Sequence, residues 1–190
     1  MKILMVSQYF APDITAAAFR MSETYQILSD TGHDVRVITA IPHRAIDNAT
    51  KLNFGDRNIS RVGLIKYSGG GKLDYLIHYS SFMVMSIFFG IKIRLVSSWR
   101  PDVIWATSPP IFAGLSGRVL KVVYKAPLVL DIRDVWPDSA VAARQLKDGG
   151  LLYRIARFIE QYLYDKASAL TCVSTEMRKY LIGATYCKPI

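Results

Sequence analysis

The stretch from Leu130 to Ser139, LDIRDVWPDS, sets Asp131, Arg133 and Asp134 directly after an apolar run and closes on Trp136-Pro137. Carboxylates and a guanidinium at the end of a buried strand are groups that can orient a hydroxyl and hold a phosphate. Alternate side chains of a strand point to opposite faces, so Asp131 and Arg133 share one face and Ile132 and Asp134 the other. Asp131 and Asp134 therefore do not converge on a metal while the strand continues. Two readings stand side by side. In the first, Asp131 pairs with Arg133 or a neighbouring loop, and Asp134 caps the turn into a helix beginning near Pro137. In the second, Asp134 orients the hydroxyl of a bound molecule and Arg133 holds a phosphate. Trp136, kept extended by the proline after it, either stacks on a ring or packs.

Other candidates sit in similar places. His43 and Arg44 in IPHRA follow an apolar run, and are either a solvated loop or a ligand contact with Arg44 on a diphosphate. Ser108 in TSPPIFAG is a helix N-cap or a cleft hydroxyl, with the cap as the simpler reading, and Ser174 caps the last helix, TEMRKYLI. His33, His43 and His78 have no helical partner at metal-site spacing, so no metal is expected.

These residues need a frame. Apolar runs of strand length recur as KILMVSQ, DVRVITA, GLIKYS, PDVIWATS, APLVLDIR and SALTCVS, alternating with helical patterns. Ala18, Met21, Tyr25 and Leu28 share a helix face, with Gly32 where a C-terminal cap needs positive φ. Phe112, Leu115, Val119 and Val122 share another, behind Pro109 and Pro110, and Leu152, Ile155, Ile159 and Tyr162 a third. Strands apolar throughout and alternating with helices predict an α/β fold, a doubly wound and mainly parallel sheet with helices on both faces. Ligands then sit beyond the C-terminal strand ends, in the loops YFAPDITAAA, AIPHRAIDNATK, TSPPIFAG, DIRDVWPDS and VSTEM.

The 190 residues, 51% of them hydrophobic, suffice for one core. The formal charge of +9 draws anions: nucleic acid, anionic lipid or phosphorylated substrates. No zinc-finger spacing or aromatic RNA-binding motif is present and the basic residues are scattered from Arg57 to Lys188, so nucleic acid is not an expected partner. Cys172 and Cys187 have no framework spacing and read as thiols of a cytosolic protein, Cys172 as a buried inert one. The start MKILMVSQYF breaks its apolar core at Ser7 and Gln8, too early for a signal peptide, and reads as a strand. Gly69 to Gly71 read as a turn outside any phosphate-loop context. A Rossmann oxidoreductase is disfavoured, because SQYFAPDITAAA lacks the glycine fingerprint and RVITAIPHR lacks the acidic residue.

From Tyr75 to Ile91 the chain runs YLIHYSSFMVMSIFFGI without a formal charge when His78 is neutral, followed by Lys92, Arg94 and Arg100. As a helix of about 26 Å it falls short of the ~30 Å hydrocarbon core of a bilayer. A buried core helix is the simplest reading. The other is a helix whose outer face touches a membrane, with the basic residues on anionic headgroups.

In order along the chain, KILMVSQYFAPD, TGHDVRVIT, RPDVIWATSPPIFAGLSG, APLVLDIRDVWPDSA and ALTCVS resemble the N-terminal half of bacterial family-4 glycosyltransferases. The likeness is strongest to the enzymes that build O-antigen, capsule and exopolysaccharide repeat units. It implies the GT-B fold, two Rossmann-like domains across a cleft, with this chain as the single acceptor-binding domain and the donor-binding domain beyond CKPI. It also implies a retaining transfer without bound metal or cofactor, from a nucleotide-sugar donor to a polyprenyl-diphosphate-linked sugar acceptor. The expected setting is cytoplasmic, at the inner face of the cytoplasmic membrane. Asp134 and Arg133 are then the catalytic candidates, and Asp13, Thr15, Ala16, His43, Arg44, Ser108 and Trp136 line the substrate cleft. Where many relatives carry Gly-Gly in the first loop, this chain has Ile14-Thr15-Ala16-Ala17, and alanine lacks the positive φ open to glycine. A non-catalytic membrane or interaction module is the alternative.

Overall fold

A computed structural model describes residues 1–42, 57–66 and 71–184. Within them the elements run β1 (Lys2–Val6), α1 (Ala16–Asp30), β2 (Asp34–Ala40), β3 (Ile59–Val62), α2 (Lys72–Val96), β4 (Val103–Ser108), α3 (Ile111–Tyr124), β5 (Leu128–Ile132), α4 (Asp138–Ala142), α5 (Leu151–Lys166), β6 (Ala169–Cys172) and α6 (Thr175–Ala184). The six strands form one sheet in the order β3-β2-β1-β4-β5-β6, every pairing parallel. The order reverses between β1 and β4, which opens a crevice at their C-terminal ends.

The two sheet faces are covered unequally. Ile3, Met5, Val35 and Val37 pack with Phe10 and Met21 under α1. The alternate residues Leu4, Val6, Ile104, Ala106, Leu128 and Leu130 pack into a larger core with Phe82 of α2, Leu120 of α3 and Leu163 of α5. The sheet is thus doubly wound, as the strand pattern predicts.

Local signals at the helix ends hold. Thr15 caps α1, its hydroxyl accepting from the Ala18 N–H at 3.1 Å, and Gly32 takes φ 84° just past the helix. Ser174 caps α6 through the Met177 N–H at 3.1 Å. Ser108 is not a cap: it ends β4, and Pro110 stands at the N-cap of α3 without a side-chain hydrogen bond. The third strand is Ile59–Val62, upstream of the expected GLIKYS. As an edge strand with β2 its only neighbour among the described residues, it tolerates Ser60 and Arg61, whose polarity hides it from a search for apolar runs.

The helices also turn differently from their apolar spacing. In α3 the buried face is Ala113, Gly114, Ser116, Gly117 and Leu120, while Val119 and Val122 are exposed. The backbone approaches the sheet so closely that a Cβ on Gly117 would lie 2.5 Å from the Ala106 Cβ, which leaves no space for a larger residue. In α5, Ala156, Glu160, Leu163 and Tyr164 face inward, and Leu152 and Ile155 face out. Helix α2 has 25 residues and is about 37 Å long, longer than its apolar run suggested. Only 28% of its most apolar window is buried, so the fully buried reading is wrong. Phe82 and Ser86 anchor one side, and Val84 and Phe88 are exposed on the other.

Gly117→Val is expected to lower stability by about 2 kcal/mol or more, because the strand backbone opposite cannot move away. Gly183→Ala in α6, where an added Cβ meets nothing within 4 Å, is expected to raise it by up to ~1 kcal/mol. Urea denaturation of both variants checks the contrast.

Candidate functional site

The loops after β1, β4, β5 and β6 lie together beyond the C-terminal ends of parallel strands. At their centre is Asp131, the penultimate residue of β5 and 1% exposed. Arg20 of α1 donates to it through Nη2 at 3.0 Å and Nε at 3.3 Å, and the Thr171 hydroxyl of β6 donates at 2.7 Å. The expected partner Arg133 is therefore replaced by an arginine 111 residues away, because the Asp131 side of the sheet is the one that α1 covers. Nothing local in the sequence points to Arg20. Asp131 itself is sealed by these contacts and reads as structural.

Arg133 lies just past β5. Its N–H donates to the Ser108 carbonyl at 2.8 Å, extending the β4–β5 pairing, and its guanidinium donates to the Pro109 carbonyl. Its buried Nε has no partner among the described residues. Burial pulls the Arg133 pKa below its ordinary value, with Arg20 adding to the effect and Asp131, Tyr9 and Asp134 opposing it. Arginine stays cationic at neutral pH regardless. The result is a partly desolvated cation close to a second one, a setting that favours a bound anion.

Asp134 is half-buried and its carboxylate makes no side-chain hydrogen bond among the described residues. It does not cap α4, whose N-cap is Pro137. Trp136 packs partly buried against the larger core, which favours the packing reading over an open stacking platform. The sequence reading passed over Asp138, the helix-facing end of the same loop. Its carboxylate accepts from Tyr153 at 2.8 Å, Tyr180 at 2.6 Å and Arg157 at 2.5 Å, tying the loop to α5 and α6. Burial acts to raise the Asp138 pKa, but the hydrogen bonds from Tyr180, Arg157 and Tyr153 outweigh it and the net shift is downward. Arg157 also binds Glu160, whose burial pushes its own pKa up.

On the β1 side, Asp13 is buried, and its charge acts on Arg61 of β3. Arg61 donates to the Ala11 carbonyl at 2.6 Å. Burial lowers the Arg61 pKa, and Asp13 partly restores it. Thr15 and Ala16 form the start of α1 on the same rim, Ala16 exposed. Ser108 is buried at the end of β4. His43 and Arg44 lie outside the described residues. His78 bridges Gln8 at 3.1 Å and the Ile65 carbonyl at 2.8 Å, so it holds α2 to the loops after β1 and β3. Tyr79 of α2 meets the Tyr9 hydroxyl at 3.0 Å and stacks on Phe112, which brings the start of α2 to the crevice. Among the described residues no group of three His, Cys, Asp or Glu could hold a metal ion.

A parallel sheet with its charged loops gathered at the C-terminal strand ends is an architecture shared by many nucleotide and sugar enzymes. Residues 15–188 match the glycosyl transferase 4-like domain, and the chain belongs to that family. It is 29% identical over 147 residues to a protein of Escherichia coli (strain K12) named as a colanic acid biosynthesis glycosyl transferase, WcaI. The match covers 73% of this chain and 35% of WcaI, so the chain spans about a third of that relative.

Arg20→Ala strands the Asp131 carboxylate in a buried site and is expected to cost about 2 kcal/mol, a value discounted for the partial exposure of Arg20. The double variant Arg20→Ala/Asp131→Asn recovers part of that loss in chemical denaturation, since no charge is left unpaired. Asp138→Asn is expected to cost about 1 kcal/mol at pH 7. The carboxyl of Asp138 titrates below its unfolded value near 3.9, so its contribution is present above that pH and is lost as pH falls through the lowered folded value. The gap between parent and variant should therefore close in strong acid, as thermal unfolding from pH 7 to pH 2 would reveal.

Proposed function

We propose that this chain forms the acceptor-binding side of a retaining glycosyltransferase. It serves transfer of a sugar from a nucleotide-sugar, UDP-linked, to a polyprenyl-diphosphate-linked or growing polysaccharide acceptor in cell-surface glycan synthesis at the inner face of the cytoplasmic membrane. In the step, the bond from the sugar C1 to the nucleoside diphosphate breaks. A bond from C1 to the acceptor oxygen forms on the same face, and the acceptor hydroxyl loses its proton.

The observation that carries this reading is the contrast within one loop. Asp131 is sealed by Arg20 and Thr171, whereas Asp134, three residues on, has no side-chain hydrogen bond among the described residues and sits beside the underused cation Arg133. Asp134 would take the hydrogen of an acceptor hydroxyl, and Arg133 would hold a phosphate of the acceptor diphosphate. Asp13, Thr15 and Ala16 occupy the same rim. The exposed start of α1 offers N–H groups to an anion such as a donor phosphate. Ser108 lies beside Arg133, and His43 and Arg44, which follow β2 in the sequence, are carried as acceptor contacts on the sequence alone. The name of WcaI assigns that protein to colanic acid biosynthesis, in keeping with a polysaccharide product.

The test is an amide-resolved NMR titration of the chain with an isoprenyl-diphosphate sugar and, separately, with UDP. The expected result is saturable shifts around Ser108, Arg133 and Asp134 with the lipid diphosphate, weak ones with UDP, and at least tenfold weaker lipid-diphosphate binding by Arg133→Ala. Tight UDP binding with no response to the lipid diphosphate would overturn the division of labour. Asp134→Asn is expected to slow transfer by the whole protein about 100-fold while changing stability by less than ~0.5 kcal/mol, because the carboxylate has no internal bond to lose.

A further inference from the structure

The N-terminal end of the sheet, opposite the crevice, carries a second concentration of charge. Arg36 stands on the face of β2 that meets α2 and α3, because it alternates with Val35 and Val37, which pack under α1. Its guanidinium lies over the Trp99 ring, 4.4 Å from the centroid, and its buried Nε has no hydrogen bond among the described residues. Arg100, next in the chain to Trp99, donates through Nη1 to the Trp99 carbonyl at 2.7 Å and to the Ser97 carbonyl at 2.5 Å, closing the end of α2. Arg94 lies one turn after Gly90, whose carbonyl accepts from the Tyr124 hydroxyl at 2.8 Å, so it shares the side of α2 that faces the end of α3.

These three guanidiniums come together without a counter-charge. Each is partly buried, and none forms an ion pair among the described residues. Burial raises the Tyr124 pKa and the positive charges of Arg100, Arg94 and Arg36 oppose it, in keeping with all three lying around one hydroxyl. Among the described residues no carboxylate acts there with them. Two carboxylates do stand at this end of the sheet, and both are engaged elsewhere: Asp34 accepts from the Trp99 indole N–H at 2.7 Å, and Asp102 from the Lys2 backbone N–H at 2.7 Å. Like charges gathered in a partly desolvated place repel one another, and a bound anion relieves that repulsion.

The donors select the kind of anion. A guanidinium presents paired N–H groups that match two oxygens of a phosphoryl group, whereas one carboxylate would leave most of the positive charge unanswered. Arg36 also reaches the place from a strand and not from an outer helix face, which suits a small free anion better than a headgroup held in the plane of a bilayer. We propose that Arg36, Arg94 and Arg100 form a binding site for a soluble phosphorylated anion of the diphosphate class at the N-terminal end of the sheet. The occupant bridges β2, the last turn of α2 and the turn into β4. Tyr79, where α2 meets the crevice, is fifteen residues back from Arg94, or about 22 Å along the helix, so an anion of this size touches none of the crevice groups. The site needs neither Arg133 nor Asp134 and stands whatever the crevice binds.

The test is an amide-resolved NMR titration of the chain with pyrophosphate, with sulfate as the less charged comparison. Saturable pyrophosphate shifts are expected over residues 94–100, at Arg36 and at Tyr124, separate from any around Arg133, and sulfate should bind more weakly. Arg94→Gln and Arg36→Gln should each weaken pyrophosphate binding about tenfold through loss of one charge-assisted contact. Lys92→Gln, exposed on another side of the same helix, should bind as the parent does. Pyrophosphate should also raise the midpoint of thermal unfolding, and raise it less in Arg94→Gln. Shifts that do not saturate, or a loss as large in Lys92→Gln as in Arg94→Gln, would overturn the proposal. So would a response of these amides to phosphatidylglycerol vesicles with none to pyrophosphate. Arg133→Ala, expected to weaken the lipid-diphosphate titration, should leave the shifts at Arg94 and Tyr124 unchanged, so either reading can fail alone.

Discussion

A carboxylate at 1% exposure cannot remain ionised in a protein interior without donors, and Asp131 sets that demand at the mouth of the sheet. Arg20 and Thr171 meet it, and in doing so they bind α1, β5 and β6 to one point. The rim of the crevice is stiff for that reason. Arg20, held there, adds positive potential beside Arg133, which burial has already stripped of much of its water. Asp134 lies on the same loop outside this arrangement, half-buried and without a side-chain hydrogen bond among the described residues. Two aspartates three residues apart thus stand in opposite settings, one sealed by donors and one not.

The far end of the loop is fixed by a second charge arrangement. Asp138 receives three donors from α5 and α6, and Arg157 links it to Glu160. The segment between Arg133 and Asp138 is therefore pinned at both ends, by pairing to Ser108 on one side and by the tyrosines and arginine on the other. A short charged loop held this way presents its side chains with little ordering cost on binding.

The helix layers follow a steric rule. Where α3 lies on the sheet, Gly114 and Gly117 admit the backbone so closely that larger residues are turned outward. Helix α2 packs on α3 in the same manner at Gly90. Close approach by small residues leaves Val119, Val122, Val84 and Phe88 with nowhere to go but the surface, so the tight core and the apolar exterior are two results of one packing choice.

The sequence by itself determined what depends on neighbours in the chain. The parallel α/β alternation, the caps at Thr15 and Ser174, the positive φ of Gly32 and the charged loop after β5 were all legible, because each is set within a few residues. The family likeness was legible for the same reason, since it rests on contiguous motifs. Only the tertiary structure decided the partner of Asp131, the ties on Asp138, the role of Ser108 as a strand end and the third strand at Ile59–Val62. It also decided which side of α2, α3 and α5 faces water. Apolar spacing says that a helix has a greasy face, but whether that face meets a core depends on how near the sheet comes, and that distance is set by glycines and by strands far away in the chain.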